Sequence, residues 1–413
     1  MTLRRPNYRS FARLGSNAGF TLVELMVVMG IFVVVIMISA GAFEKIAKVT
    51  SQQTTSSDSN IQGIVGLEIM RSDLESAGYG LPWPAPSSTC FVFDFEESQV
   101  PANQLANGID PKAFNDKNNT LSGDPKKAPR AIQSAAATGA GAWENGRDYL
   151  VIKSSSVGMN KAAKKWSYLE GLDASSRIKA WDTTSDNFVL NDRLVTLKSI
   201  TEEKKPYREL VYVSNTDFSY SYPADFTPLG DYQAKTSDIY VLYGVNSNKD
   251  GSDPGALRVP YNRMDFYIKR PTNIPSRCAP GTGILYKANL SHADGLVTDS
   301  QYPLLECVAD MQVVYSLDTN GDGGVDLHVD ENFLSNMSAQ TIRDQLKEIR
   351  ISILAQEGRK DSSYTYPFST VQVGGFGHGR AYDLSALDGI GTGWKNYRWK
   401  VFNIVVTPKN INN

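Results

Sequence analysis

Cysteine and histidine are scarce in this chain of 413 residues, which contains only three of each. Cys90, Cys278 and Cys307 form no CxxC pair, so a disulfide-rich scaffold and a CxxC redox or metal centre are both excluded. The three histidines lie far apart in the sequence and form no HExxH motif, which argues against a zinc site. The chain therefore lacks the usual ligands of a transition-metal protein.

An excess of charge is also missing, because 42 Lys and Arg residues face 44 Asp and Glu residues, for a net charge of -2. This balance argues against a basic nucleic-acid module and against a charged disordered tail. The glycine-rich segments 374–379 and 389–393 do not end in Gly-Lys-Ser/Thr, and no GxSxG elbow occurs. The sequence thus indicates no enzyme.

A single long apolar run is present near the N-terminus. It extends from Phe20 to Phe43 and contains one charged residue, Glu24, whereas residues 1–19 carry four arginines and no acid. About 24 apolar residues suffice for a helix to cross a hydrocarbon core of ~30 Å. The arginines place the N-terminus in the cytoplasm by the positive-inside rule, so the rest of the chain is expected on the other side.

The junction between these two segments carries the most specific signal. The sequence Gly19-Phe20-Thr21-Leu22-Val23-Glu24 resembles the type III signal of type IV prepilins and of type II secretion pseudopilins. The resemblance implies that a prepilin peptidase cuts after Gly19 and methylates Phe20, and that Glu24 pairs with a neighbouring subunit's N-terminal amine. A carboxylate in an apolar bundle is tolerated when it is paired. The alternative is a plain signal anchor in which Glu24 has no role.

The segments after the predicted cleavage site are arranged in the order that is typical of a pilin. Removal of the leader, residues 1–19, takes four positive charges away and changes the net charge from -2 to -2 minus 4, or -6. Residues 20–43 are the predicted transmembrane and assembly helix, and residues 44–80 its amphipathic continuation. Apolar residues recur there at helical spacing from Ile61 to Leu74, and Gly78 and Gly80 end the helix.

Four later segments narrow the resemblance to PilW-type minor pilins. The end of the predicted helix resembles an RDLxxAGY pattern of that subfamily, and the other segments resemble three of its strands. These segments are residues 68–80, 307–315, 347–355 and 397–406. The resemblance covers the two ends of the chain and leaves about half of it, mainly 82–300, loosely matched.

Residues 81–413 are predicted to form an enlarged β-rich, pilin-like globular head. Short stretches rich in β-branched and aromatic residues predict strands at 148–153, 209–213, 239–243 and 264–268. A segment rich in Lys, Ala, Gly and Asn, about 101–145, is predicted to be a long surface insertion. The predicted fold class is α+β, with a long N-terminal helix packed on the head.

An acidic, glycine-rich segment follows the strand predicted at 307–315. Asp318, Asn320, Asp322 and Asp326 occur at spacings that bring oxygen ligands to one calcium ion. Position twelve of the loop is Val329, which excludes an EF-hand proper. The sequence therefore predicts a Ca2+-stabilised connection between strands, and the alternative is an Asx- and Gly-rich hairpin turn without an ion.

A disulfide between Cys278 and Cys307 is a further candidate feature. The two cysteines are 29 positions apart and would close one loop in an oxidising compartment, leaving Cys90 unpaired. Sequence alone does not establish the geometry that a disulfide requires.

These features together predict a minor pilin of a type IV pilus that acts in assembly priming or at the tip. The expected partners are other minor and major pilins, prepilin peptidase and the inner-membrane assembly platform, with no nucleic acid. The expected location is the bacterial inner membrane, with the head in the periplasm, and then the pilus surface. The alternatives are a GspJ-like minor pseudopilin of type II secretion, a pilus-displayed adhesin and, least favoured, a membrane-anchored enzyme.

Overall fold

Helix α1, Leu22–Glu75, is the longest element of the chain in this computed structural model. The chain divides into two units, Met1–Thr54 and Thr55–Asn413. The structure describes residues 19–85, 95–99, 109–116, 128–137, 146–170, 177–211, 218–223, 238–247, 255–297, 301–331, 334 and 336–411.

The first part of α1 is apolar and exposed. Its segment Leu22–Thr54 spans 33 residues with a mean hydropathy of 2.8. By length and composition it can cross a membrane, a property that it shares with signal sequences at the start of a chain.

The second part of α1 packs on the head through one face. Leu67, Met70 and Leu74 are buried there. A Cβ atom at Gly66 would lie only 1.9 Å from the carbonyl oxygen of Leu304, so only glycine allows the helix to approach the sheet this closely. Shortly after the helix ends, Gly78 adopts a φ of +82°, a conformation that favours glycine.

The head is built mainly on an antiparallel sheet of eight strands. Seven strands follow the order β1-β2-β9-β10-β11-β13-β16, and β12 pairs with β11. Their bounds are β1 Ile132–Ala136, β2 Asp148–Ser154, β9 Asn262–Lys269, β10 Gly283–Asn289, β11 Gln301–Leu317, β12 Leu327–Asp330, β13 Leu346–Glu357 and β16 Arg398–Val406.

A second antiparallel sheet has six strands in the order β4-β3-β8-β5-β6, with β7 paired to β5. Their bounds are β3 Trp166–Glu170, β4 Arg177–Ile178, β5 Arg193–Glu202, β6 Lys205–Leu210, β7 Ser219–Ser221 and β8 Ile239–Asn246. The remaining elements are a hairpin of β14 and β15, Thr370–Val373 and Arg380–Asp383, and the short helix α2, Ala339–Gln345.

This architecture confirms the predicted α+β class, a long N-terminal apolar helix followed by a β-rich domain. The strands predicted at 148–153, 239–243 and 264–268 lie within β2, β8 and β9. The strand predicted at 209–213 is shifted, because β6 begins at Lys205 and ends at Leu210. Residues 212–213 lie outside the described residues.

The main core lies between α1 and the larger sheet. Met70 and Leu74 of the helix belong to the same buried cluster as Leu285 of β10, Met311 of β11 and Ile353 of β13, each of which is fully buried. Strand β2 is buried at every position, as expected for a strand covered on both faces.

The predicted insertion, about 101–145, differs from a surface loop wherever it is described. Strand β1 forms one edge of the larger sheet, and residues Pro111–Phe114 form a 3-10 helix whose Phe114 is buried. Phe114 stacks on Tyr149 of β2, with ring centroids 5.2 Å apart. The compositional signal missed this packing because one buried aromatic ring anchors an otherwise polar segment. Residues 101–108, 117–127 and 138–145 lie outside the described residues.

Buried charges fasten this segment to the sheet. Lys153 of β2 is fully buried, and its ammonium lies 2.6 Å from both Glu97 and Asp116. Arg130 pairs with Asp116 at 2.9 Å, and Arg263 of β9 lies 3.4 Å from Glu97. A buried ion without a partner destabilises the fold, so the loss of any one of these charges would leave another buried charge unpaired.

The pKa values of the two acids in the network shift in opposite directions. Burial, together with the negative charge of Asp116, raises the pKa of Glu97 although Lys153 and Arg263 oppose the change. Burial also opposes ionisation of Asp116, but Lys153 and Arg130 outweigh it and lower the pKa of that carboxyl group.

Candidate assembly and processing site

The predicted cleavage residues lie just before helix α1. Gly19 and Phe20 are exposed and precede the first helical residue, Leu22. The Phe20 side chain is 83% exposed, and none of the described residues lies within 4 Å of a Cβ atom placed at Gly19. A protease can therefore approach this bond.

Glu24 closes a reciprocal cap at the start of α1. Its carboxylate accepts hydrogen bonds from the Thr21 amide, at 3.0 Å, and from the Thr21 hydroxyl, at 2.9 Å. The Thr21 hydroxyl in turn accepts a hydrogen bond from the Glu24 amide, at 3.2 Å. This is a capping box, which satisfies helix N–H groups that have no partner within the helix.

The capping box gives Thr21 a role that the sequence analysis did not assign. The signal was available as Thr-x-x-Glu immediately before an apolar run. Cleavage after Gly19 would create an amino group on Phe20, one residue from the amide that Glu24 already binds. The Glu24 carboxylate is therefore held at the end of the helix where the new positive charge would arise.

A second exposed apolar surface lies on the part of α1 that packs on the head, after the polar stretch 50–60. Ile61, Ile64, Val65 and Ile69 are 61%, 63%, 56% and 40% exposed. They recur every three to four residues and therefore share one side of the helix, which we call the outer stripe. The opposite side is buried against the head through Leu67, Met70 and Leu74.

An ion pair joins α1 to the larger sheet beneath it. Asp73 accepts a hydrogen bond from the ammonium of Lys287 in β10 at 2.6 Å, and both side chains are nearly inaccessible to solvent. Burial raises the pKa of Asp73, although the positive charge of Lys287 opposes the increase. Asp73 belongs to the segment that resembles the RDLxxAGY pattern, so the structure gives that acid a physical role.

The four predicted calcium ligands lie in the loop between β11 and β12, where Asp318 is buried and the other three are exposed. Asp318 accepts hydrogen bonds from the amides of Gly321, at 2.7 Å, and Gly323, at 2.9 Å. Its carboxylate also lies 3.2 Å from the ammonium of Lys347. Desolvation disfavours the ionised form, but these hydrogen bonds outweigh it and lower the pKa of Asp318.

The other predicted ligands are also engaged within the loop. Asp326 accepts hydrogen bonds from the amide of Thr319, at 3.0 Å, and Asn320 donates to Asp322 at 3.1 Å. These contacts form an Asx-rich turn, in which each carboxylate oxygen of Asp326 already accepts two hydrogen bonds. Within the described part of the chain, no group of three or more His, Cys, Asp or Glu side chains is arranged to hold a metal ion. Calcium binding stays a prediction.

Cys278 and Cys307 form a disulfide in the structure, with their Cα atoms 4.9 Å apart. Both residues are buried, and the bond connects the loop before β10 to β11. Arg277 and Glu306 form an ion pair directly beside it. Cys90 lies outside the described residues.

His292 is a buried core residue. Its Nε2 atom lies 3.3 Å from the side-chain oxygen of Asn262, and burial together with Arg258 lowers its pKa to about 4. The ring is therefore neutral at physiological pH.

Two models of known protein families match parts of this chain. Residues 14–40 match the family model described as Prokaryotic N-terminal methylation motif, which includes Gly19, Phe20 and Glu24. This match, the exposed apolar helix and the β-rich head are together similar to what is found in type IV prepilins. Residues 265–410 match the family model described as Type IV Pilus-assembly protein W.

Both matches support a type IV minor pilin of the PilW type. The matched pilin family is a structural one, and the prepilin motif implies interactions with other pilins and with prepilin peptidase. The apolar helix is consistent with membrane anchoring. No curated protein and no solved structure shows a significant match to the chain.

Proposed function

We propose that this minor pilin acts in the priming complex or at the tip of a type IV pilus. The proposal rests mainly on one observation, the exposed apolar surfaces of α1. Apolar side chains are exposed from Leu22 to Ile38 and again along the outer stripe. In water this surface is unfavourable, but it becomes favourable when lipid or the helices of other subunits cover it.

Membrane and filament can each cover part of this surface. The segment Leu22–Thr54 is long enough to cross a bilayer, whereas the outer stripe lies beside the head and needs a different cover. Neighbouring N-terminal helices supply that cover when the subunit leaves the membrane.

Glu24 selects the correct partner during this transfer. In the single chain its carboxylate binds Thr21, which neutralises part of the cost of a charge in an apolar helix. On assembly it binds the N-terminal amine of the adjacent subunit, which prepilin peptidase has created at Phe20. Before assembly, the N-terminus lies in the cytoplasm and the head in the periplasm, and the assembly platform extracts the subunit.

The first experiment tests the carboxylate. In cells that lack the native gene copy, we expect Glu24→Ala to be processed and retained in the membrane, but absent from sheared filaments on immunoblots. Glu44→Ala is the matched control, because it removes a carboxylate from the same helix outside the capping box. Equal amounts of both variants in the filaments would contradict the role of Glu24.

The second experiment tests the outer stripe. Ile64→Asp places a charge on the stripe, and Ile239→Asp places the same charge on β8 of the head, at nearly equal exposure of 63% and 62%. We expect fewer surface pili only for Ile64→Asp, counted by electron microscopy. Normal piliation with Ile64→Asp would refute the packing role, and a loss of type II secretion instead would indicate a pseudopilin.

A further inference from the structure

A groove lies at the end of α1, on the side of the head that carries the smaller sheet. It holds about 370 Å³ and is bordered by the end of α1, the segment before β3 and the C-terminal residues Lys409 and Asn410. Pockets that bind small molecules usually hold about 300–1,000 Å³. The groove is therefore large enough for one or two sugar rings.

Positive charge dominates the lining of this groove. Lys164, Lys165 and Lys409 line it, against one acid, Glu75. Two of the lysines are neutralised within the chain, because Lys165 pairs with Asp192 at 3.2 Å and Lys409 pairs with Glu75 at 3.0 Å.

Lys164 is different from the other two lysines. Its ammonium donates a hydrogen bond to the neutral carbonyl oxygen of Ser156 at 2.5 Å. Within the described part of the chain, no carboxylate forms an ion pair with it. Burial lowers the pKa of Lys164, and the nearby charge of Lys287 adds to this effect although Asp73 opposes it. The Lys164 side chain is exposed to the groove, so a bound anion can reach its ammonium and form an ion pair with it.

An exposed aromatic ring lines the same groove as this ammonium. Trp166 lines the groove and is 44% exposed, although it is one of the largest apolar side chains. Trp181 holds the ring in place by an edge-to-face contact at 5.0 Å, and its indole N–H donates to the Trp166 carbonyl at 2.8 Å. Ser76 and Ser156 add polar groups to the same lining.

We propose that this groove binds an acidic sugar, with Lys164 paired to the sugar carboxylate and Trp166 stacked on the apolar face of the ring. A fixed aromatic face, hydroxyl groups and one uncompensated cation together match a ring that carries both hydroxyls and a carboxylate. A neutral sugar would leave Lys164 without a counter-ion, and a small inorganic anion would leave Trp166 uncovered. This activity lies beyond pilus assembly and does not depend on it.

The test measures binding of trigalacturonic acid to the full-length protein by calorimetry at low salt, in a detergent without a sugar headgroup. Lys164→Met should weaken binding by roughly tenfold or more, which corresponds to the loss of one charge-assisted contact. Lys161→Met is the matched control, since it removes an exposed lysine three residues away that does not line the groove. Lys164→Arg keeps the charge and should keep most of the binding.

Two further arms distinguish the sources of binding. Trp166→Phe should retain part of the affinity for the acidic trisaccharide, and Trp166→Ala should lose it, while galactotriose and inorganic phosphate bind the native protein weakly. Equal binding of galactotriose would overturn the role of Lys164, and equal binding of phosphate would overturn the role of the sugar ring. Unchanged affinity in Lys164→Met would refute the proposal. If Lys164→Met does not fold, the Trp166 variants and the comparisons with galactotriose and phosphate still test the proposal.

Discussion

Replacing Asp73 with Asn tests how α1 is fixed to the head. The substitution keeps the shape of the side chain but removes the charge that faces Lys287 at 2.6 Å. Lys287 is only 2% exposed, so its ammonium would remain in the core without a counter-ion. Removal of one member of a buried ion pair typically costs about 3–5 kcal/mol, because the remaining charge is neither solvated nor paired.

The two partners should respond unequally. In Lys287→Met, Asp73 is left alone, but burial already raises its pKa, so it can take up a proton and become neutral. We therefore expect Lys287→Met to be less damaging than Asp73→Asn. The double variant should lose less than the sum of the two single losses, because no unpaired charge remains.

Urea unfolding of the full-length protein, followed by tryptophan fluorescence, measures these free energies. Hydrogen exchange of the amides between Ile61 and Glu75 reports whether the loss is local to the helix. Glu75→Gln is the control, because Glu75 pairs with Lys409, which is 73% exposed, and such surface pairs contribute at most about 1 kcal/mol. Equal losses for Asp73→Asn and Glu75→Gln would refute the reasoning.

Three further predictions concern the head. Lys153→Met leaves Glu97 and Asp116 without their shared partner and should lower the free energy of unfolding in urea by about 3–5 kcal/mol or more. Lys179→Met, which removes the exposed pair with Glu170, should change this free energy little. Equal effects of the two substitutions would contradict the role of the network. Burial and the nearby charge of Glu331 raise the pKa of Asp148 well above its ordinary value of 3.8. The folded protein therefore holds this proton more tightly than the unfolded chain, and its free energy of unfolding falls as pH rises above 3.8 toward the folded-state pKa. Asp148→Asn should therefore reduce the loss of unfolding free energy between about pH 4 and pH 8, and an unchanged pH dependence would count against this cause. About 1 mM calcium should raise the thermal midpoint of the full-length protein, and a chelator should lower it. Asp322→Asn should abolish this response and Asp294→Asn, in another exposed turn, should preserve it; a midpoint insensitive to calcium in the native protein would exclude the ion site.

The parts of the fold that the sequence predicted are those with local causes. The strand predicted at 307–315 lies within β11, Gln301–Leu317, because its apolar and β-branched residues favour a strand wherever it is placed. Strand β1 was missed because Gln133, Ser134 and two alanines give no such local preference. It becomes a strand by pairing with β2, which supplies its backbone hydrogen bonds.

The candidate sites divide in the same way. The processing motif at Gly19, Phe20 and Glu24 is contiguous, so its spacing alone indicated it, and the capping role of Thr21 follows from the same few residues. The groove was not predicted, because Lys164 and Lys409 come from distant parts of the chain. The exposure and ion pairing of these two lysines depend on residues that contact them only in the folded chain.

What the sequence determined by itself is the apolar helix, its basic leader and the strand-rich character of the head. These depend on hydrophobicity and backbone preference, which act over a few residues. Only the tertiary structure decided which charges are buried, as in the contact of Asp73 with Lys287, 214 positions away. Pairing across such a distance requires the register of the sheet and the close approach of α1 at Gly66, and both exist only once the chain has folded.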